Sequence, residues 1–114
     1  MKSNKIDLDE LYRIKHNREI KNINVFNHIL DGCYKKIRHI AEHGGMCLYF
    51  KVPPIVLGFP LYDHNNCISF IIKQLKKSGL YASNLPEPNK FIIYISWKID
   101  DINPKEKNKL LLLH

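Results

Sequence analysis

MCLYFKV at residues 46–52 and FIIYISW at residues 91–97 are the two stretches that decide the fold. In both stretches large apolar residues alternate along the chain, which is the pattern of a β-strand with one face on a core. The second stretch is apolar on both faces at its start, which indicates a central strand, and Trp97 is expected to be largely buried. A third short strand is predicted at residues 80–85, before a proline-rich turn at residues 86–90. We therefore expect a small, mainly antiparallel, three-stranded sheet.

Two amphipathic helices are predicted to cover this sheet. Between Ile23 and Ile40 apolar residues recur at three- and four-residue spacing, and Gly44 then ends the helix. The second helix is predicted to begin after a capping residue, either Asp63 or Asn65, and to end before Gly79, with an apolar stripe between them. The predicted fold class is α+β, with two main helices packed on one face of the sheet. A degenerate winged helix, in which a loop replaces the middle helix, is one interpretation of this element order.

The chain divides into three segments. Residues 1–22 are mostly polar and are predicted to form an N-terminal arm or a short helix capped by Asp7. Residues 23–99 are predicted to form a single α+β domain, and a chain of this length can bury about two-thirds of its unfolded surface. Residues 100–114 are charged and aperiodic, which is typical of a C-terminal tail, although this tail ends in the apolar run from Leu110 to Leu113.

Composition limits the classes of partner. The formal charge of +7 favours polyanions, with nucleic acid first among them and an acidic membrane surface second. The three cysteines, Cys33, Cys47 and Cys67, lie at apolar positions without C-x-x-C spacing, which predicts buried thiols in a reducing compartment. No apolar run approaches the length of about 20 residues that a bilayer span requires, so we expect no membrane span.

No motif supports catalysis. His39, Glu42 and His43 fit the pattern H-x-x-E-H, which inverted zinc peptidases use for two ligands and a general base. Those enzymes also need a third ligand on a second helix, and here the motif runs directly into Gly44. No phosphate-binding glycine loop is present, and nothing pairs a cysteine with a histidine base. We therefore predict that the protein is not an enzyme and has no cofactor or metal site.

Two surfaces are candidates for binding. Lys73, Lys76 and Lys77 lie within about two turns of the second helix, which would enter the major groove in a winged helix. Lys90 lies in the turn that would form the wing. An ordinary solvated lysine face explains the same pattern, and base reading favours arginine over lysine. The other surface is the apolar loop after the first strand, with these candidate protein-contact residues: Ile55, Val56, Leu57 and Phe59.

A set of motifs extends from the first strand to Trp97. It consists of FKVPP at 50–54, GFPLYD at 58–63, Cys67-Ile68, Ile72, Leu75, Ser78-Gly79, Pro88-Asn89 and ISW at 95–97. In these motifs the chain resembles a small uncharacterised family encoded by nucleocytoplasmic large DNA viruses of the mimivirus-like kind. The resemblance implies a viral source and a virion setting, and it implies no catalytic residue. The abundance of Lys, Asn and Ile fits an A+T-rich genome.

Two classes of function follow. The first is a non-enzymatic virion or assembly component that acts through contacts with viral proteins, in the host cytoplasm or in the virion. The alternative is a basic, winged-helix-like protein that binds nucleic acid without sequence preference. Salt-dependent binding to a nucleic-acid duplex would distinguish the second class from the first.

Overall fold

A three-stranded antiparallel sheet with two helices on one face organises the molecule, and this confirms the predicted α+β class. The structure is a computed structural model that describes residues 5–102. Its elements are α1 (Leu8–Glu42), β1 (Cys47–Lys51), α2 (His64–Lys77), β2 (Tyr81–Asn84), β3 (Ile92–Ser96) and a final 3-10 helix (Ile99–Asp101). The strand order is β1-β3-β2, so β3 is central, as its apolar start predicts.

Helix α1 is longer than the sequence predicts. Asp7 caps it by accepting a hydrogen bond from the Glu10 N–H at 2.8 Å, and the helix then continues without interruption to Glu42. The predicted break before Ile23 is absent because residues 8–22 contain no glycine or proline. After the helix, Gly44 adopts a φ of 88°, the left-handed conformation that favours glycine. One continuous helix thus replaces the predicted arm and separate helix.

The two halves of α1 have different surroundings. Residues 8–24 contain no fully buried side chain, and the predicted core residue Ile23 is 49% exposed. The second half provides a buried stripe: Val25, Phe26, Ile29, Leu30 and Cys33. Since α1 is about 52 Å long at 1.5 Å per residue, its first half extends well beyond the packed domain. The longest dimension of the molecule is accordingly 67 Å, against 26 Å in the other two directions.

The apolar face of the sheet lies under both helices. Phe50 is paired with Ile93, and Ile95 lies between Leu48 and Ala82, so these residues all point to the same face. Ile93 and Ile95 have no exposed surface. The two stretches that decide the fold are therefore neighbours in one sheet, as predicted.

Two residues at the ends of these stretches differ from the sequence expectation. Met46 is 44% exposed, and Trp97 is only partly buried against the core. Both lie just outside the strands, where the Trp97 N–H donates to the Met46 carbonyl at 3.0 Å. The alternation of buried and exposed side chains therefore does not extend past the ends of the strands.

The loop at residues 53–62 is irregular but anchored. Tyr62 closes it by donating its hydroxyl hydrogen to the Pro53 carbonyl, and the His64 Nε2–H donates to the Val52 carbonyl at 2.7 Å. The Tyr62 ring also packs edge-on against Phe26 of α1, with ring centroids 5.9 Å apart. The loop is thus fixed at both ends, and α2 begins directly after it.

Candidate functional site

The outward face of α2 is polar and carries only positive charge. Asp63 caps the helix by accepting from the Asn66 N–H at 2.9 Å, and Cys67, Ile68, Ile71 and Leu75 face the core. The exposed side consequently presents these residues: Asn65, Asn66, Ser69, Lys73, Lys76 and Lys77. No aspartate or glutamate occurs between His64 and Lys77. We refer to Lys73, Lys76 and Lys77 as the α2 lysines.

Lys90 does not join the α2 lysines. The last turn of α2 leads directly into β2, so the α2 lysines lie near the start of the β2–β3 hairpin. Lys90 lies in the turn at the opposite end of that hairpin, where its Nζ is 3.5 Å from Glu87 Oε1. The structure therefore brings together three of the four predicted nucleic-acid-binding residues and separates the fourth.

One cation of α1, Arg38, lies near the residues that follow α2. A shallow groove is lined by Tyr34, Ile37 and Arg38 of α1 and by Ser78 and Leu80 after α2. Arg38 therefore faces the residue that directly follows Lys77. The sequence alone does not reveal this proximity, because the two helix ends meet only through tertiary packing.

A second candidate surface is a groove between α1 and the loop at residues 53–62, called the α1–loop groove below. It is lined by His28, Ile29, Gly32, Lys36, Phe50, Lys51, Pro53, Ile55, Val56 and Leu57. Leu57 is 93% exposed and Ile55 is 58% exposed, whereas Val56 and Phe59 pack against the core. The four predicted protein-contact residues thus divide into two that face solvent and two that hold the loop in place.

The polar side chains lining the α1–loop groove are all basic. Lys36 lies over the Phe50 ring, with Nζ 5.4 Å from the ring centroid, and Lys51 lies over Phe91 at 5.5 Å. The His28 ring packs on Phe59 with centroids 4.8 Å apart. Among residues 5–102 no carboxylate lines this groove. The groove therefore combines apolar walls with a cationic rim.

The open face of the sheet carries a row of tyrosines that the sequence analysis did not single out. The rings of Tyr49 and Tyr94 are 5.2 Å apart, and those of Tyr94 and Tyr81 are 5.9 Å apart. Beside the middle ring of the row, Asp101 accepts hydrogen bonds from the Tyr94 hydroxyl at 3.1 Å and from Ser96 Oγ at 2.6 Å. The hydrogen bond from Ser96 is the main reason that the pKa of Asp101 lies below its ordinary value. Cross-strand aromatic pairs of this kind stabilise a sheet.

The histidine motif forms a helix end. The His43 Nδ1–H donates to the His39 carbonyl at 2.8 Å, which satisfies one of the last carbonyls of α1. Within residues 5–102 no group of three histidine, cysteine or acidic side chains is close enough to hold a metal ion.

Two of the three cysteines are buried thiols, as predicted, and Cys47 is only partly buried because it points to the open sheet face. Burial raises the pKa of Cys33 and of Cys67 to about 12. Since a thiol must lose its proton to act as a nucleophile, neither of these two groups is activated at neutral pH.

Fold and surfaces together define a small basic α+β domain with two exposed candidate binding surfaces. The chain belongs to DUF5759, a family of unknown function, whose model matches residues 6–76. That range includes α1, the α1–loop groove and all but the last residue of α2. No curated protein and no solved structure matches the chain. None of the helices described within residues 5–102 has the length and apolarity needed to cross a membrane.

Proposed function

We propose that this protein is a non-enzymatic nucleic-acid-binding protein that contacts phosphates through the α2 lysines. The observation that carries the proposal is the absence of any acidic residue on α2 beside three exposed lysines on one face. Within residues 5–102 none of these three lysines forms an ion pair with a carboxylate. Cations without local counter-charges are what a phosphate backbone attracts.

The connectivity supports the same proposal. The element order helix, strand, helix, strand, strand with sheet order β1-β3-β2 is that of a winged helix whose middle helix is replaced by residues 53–62. In that arrangement α2 would face the nucleic acid and the β2–β3 turn would be the wing. Because the pairing with Glu87 occupies Lys90, the wing contributes little attraction.

The chemistry of the α2 face favours binding without sequence preference. Lysine is a point charge on a flexible stem, whereas base recognition mostly uses the planar fork of arginine. The α2 lysines and Arg38 could neutralise about four phosphates, which predicts a log-log salt slope of roughly −3.6 at about −0.9 per contact. Affinity should therefore fall steeply with salt and vary little among duplexes of different sequence.

The test is titration of a labelled DNA duplex, followed by fluorescence anisotropy at several salt concentrations. Changing all three α2 lysines to glutamine should flatten the salt slope by up to about 3. The matched control changes Lys21, Lys35 and Lys98 to glutamine, which removes the same charge from other exposed positions. No binding at low salt, or equal slopes for the two variants, contradicts the proposal. The viral source and the role in virion assembly stay predictions.

A further inference from the structure

We propose that the α1–loop groove and the adjoining free edge of β1 bind an extended, acidic segment of another protein. The segment would add a strand to β1 and place apolar side chains against the loop. This site is separate from the α2 lysines and does not rest on nucleic-acid binding. Four features of the structure point to it.

The first feature is an unpaired strand edge. The Val52 N–H donates to the Phe91 carbonyl, and the Met46 carbonyl accepts from the Trp97 N–H. Because paired positions alternate in an antiparallel ladder, Leu48 and Phe50 also direct their backbone groups to β3. The backbone groups of these residues consequently point away from the sheet: Cys47, Tyr49 and Lys51. Within residues 5–102 no backbone group pairs with them. Such an edge accepts a further strand.

The second feature is exposed apolar surface beside that edge. Leu57 is almost fully exposed and Ile55 is more than half exposed, although the loop that carries them is anchored at both ends. Anchoring holds the ends of the loop, so a partner would have little of the loop backbone to order. Leu57 and Ile55 offer apolar contacts to the alternate side chains of an added strand.

The third feature is the sign of the charge. Lys36, Lys51 and His28 line the groove, and no acidic residue in the described part of the chain does. A second copy of this chain would bring the same cations and a net charge of +7, so repulsion disfavours self-association. An acidic partner segment is favoured for the same reason.

The fourth feature is Gly32, in the middle of α1. Glycine is unfavourable inside a helix, and here a Cβ would meet no atom within 4 Å. The packing of residues 5–102 therefore does not require glycine at this position. Gly32 lines the α1–loop groove, where a missing side chain allows a bound segment to approach the helix closely.

The test uses the full chain and a synthetic peptide of about ten residues in which glutamate alternates with leucine or valine. The control peptide has lysine in place of glutamate. At saturating acidic peptide, amide hydrogen exchange measured by NMR should slow at least about tenfold at Cys47, Tyr49 and Lys51. Exchange at Leu48 and Phe50, which already pair with β3, should change much less.

Matched single-residue variants test whether the peptide binds in the α1–loop groove. Lys36→Glu should weaken binding of the acidic peptide at least about tenfold, whereas Lys35→Glu should change it by less than about twofold. The two lysines are adjacent in sequence and both exposed, but only Lys36 lines the groove. Gly32→Leu, which places a good helix former where there is open space, should abolish binding without unfolding α1.

Three outcomes overturn the proposal. The first is equal binding of the acidic and basic peptides, and the second is equal binding by the Lys35 and Lys36 variants. The third is protection of Cys47, Tyr49 and Lys51 that rises with protein concentration in the absence of peptide, since the occupant would then be a second copy. The triple glutamine variant of the α2 lysines should bind the acidic peptide within about twofold of the unmodified chain, so failure here and failure of nucleic-acid binding are distinguishable.

Discussion

Gly32→Ala is expected to stabilise the protein. Gly32 lies inside α1 with ordinary backbone geometry, and an added Cβ would meet no atom within 4 Å. Alanine therefore gains the full difference in helix propensity, about 1 kcal/mol, with no steric cost to offset it. For a domain of this size that corresponds to a rise in Tm of about 4 °C. Urea titration and thermal melting followed by far-UV circular dichroism measure both quantities.

Gly44→Ala is the matched control for this experiment. Gly44 also has open space around its Cβ position, so the two sites differ in backbone conformation and not in packing. Its φ of 88° is unfavourable for alanine, which should destabilise the protein by about 1 kcal/mol. A loss of stability for Gly32→Ala would refute the reasoning, because it would mean that the chain itself requires glycine at the groove.

Two further predictions concern titratable groups. Asp101→Asn should lower stability at neutral pH, because the ionised carboxylate accepts from Ser96 and its pKa is depressed in the folded state. The loss of stability in the variant should be complete above pH 4 or so, the ordinary range for a carboxyl group. It should vanish as pH falls through the lower pKa of the folded state. Equal denaturation curves of the two proteins at neutral pH contradict this prediction. Cys33 and Cys67 should resist a thiol reagent at neutral pH until the protein is denatured, since burial raises the pKa of each to about 12, and rapid labelling of either in the native state contradicts this.

The positions of the strands could be predicted because the alternation of apolar and polar residues is a signal local to each strand. Phe50 and Ile93 differ from their chain neighbours in polarity, and the period of two assigns them to one face without knowledge of the partner strand. The same rule places Tyr49, Tyr94 and Cys47 on the open face. The alternation in the sequence therefore predicts the tyrosine row. It also predicts that Cys47 lies on the open face, although its apolar character alone favours burial.

The full extent of α1 was less accessible. A single stripe at three- and four-residue spacing contains Ile23, Phe26 and Leu30, and it leaves out Val25 and Ile29, which are both buried. A helix that packs against a sheet and another helix buries a wider face than a single stripe. In the first half of α1 the apolar residues, such as Leu8, Leu11 and Tyr12, stay exposed, so burial does not help to define this part of the helix. Its capping residue and its helix propensity are the stronger signals.

The α1–loop groove could not be assembled from the sequence. Lys36 belongs to α1 and Lys51 to β1, and they line one groove only because α1 packs beside the edge of the sheet. The α2 lysines were easier to predict because residues three and four apart share a helix face. Residues that cluster on one helix or strand can be predicted from their spacing in the sequence. Residues from different elements can be grouped only when the tertiary structure is known.

The exposed first half of α1 has a consequence for how the protein folds. Starting a helix is the costly step, and each later residue adds one hydrogen bond at small cost. The stretch from Val25 to Cys33 is held by the core and can serve as the nucleus from which the helix propagates toward Leu8. A peptide of residues 8–22 alone would be marginally helical in water at about 15 residues. Helical order in this half of α1 therefore depends on the domain beside it, and the two should be gained and lost together.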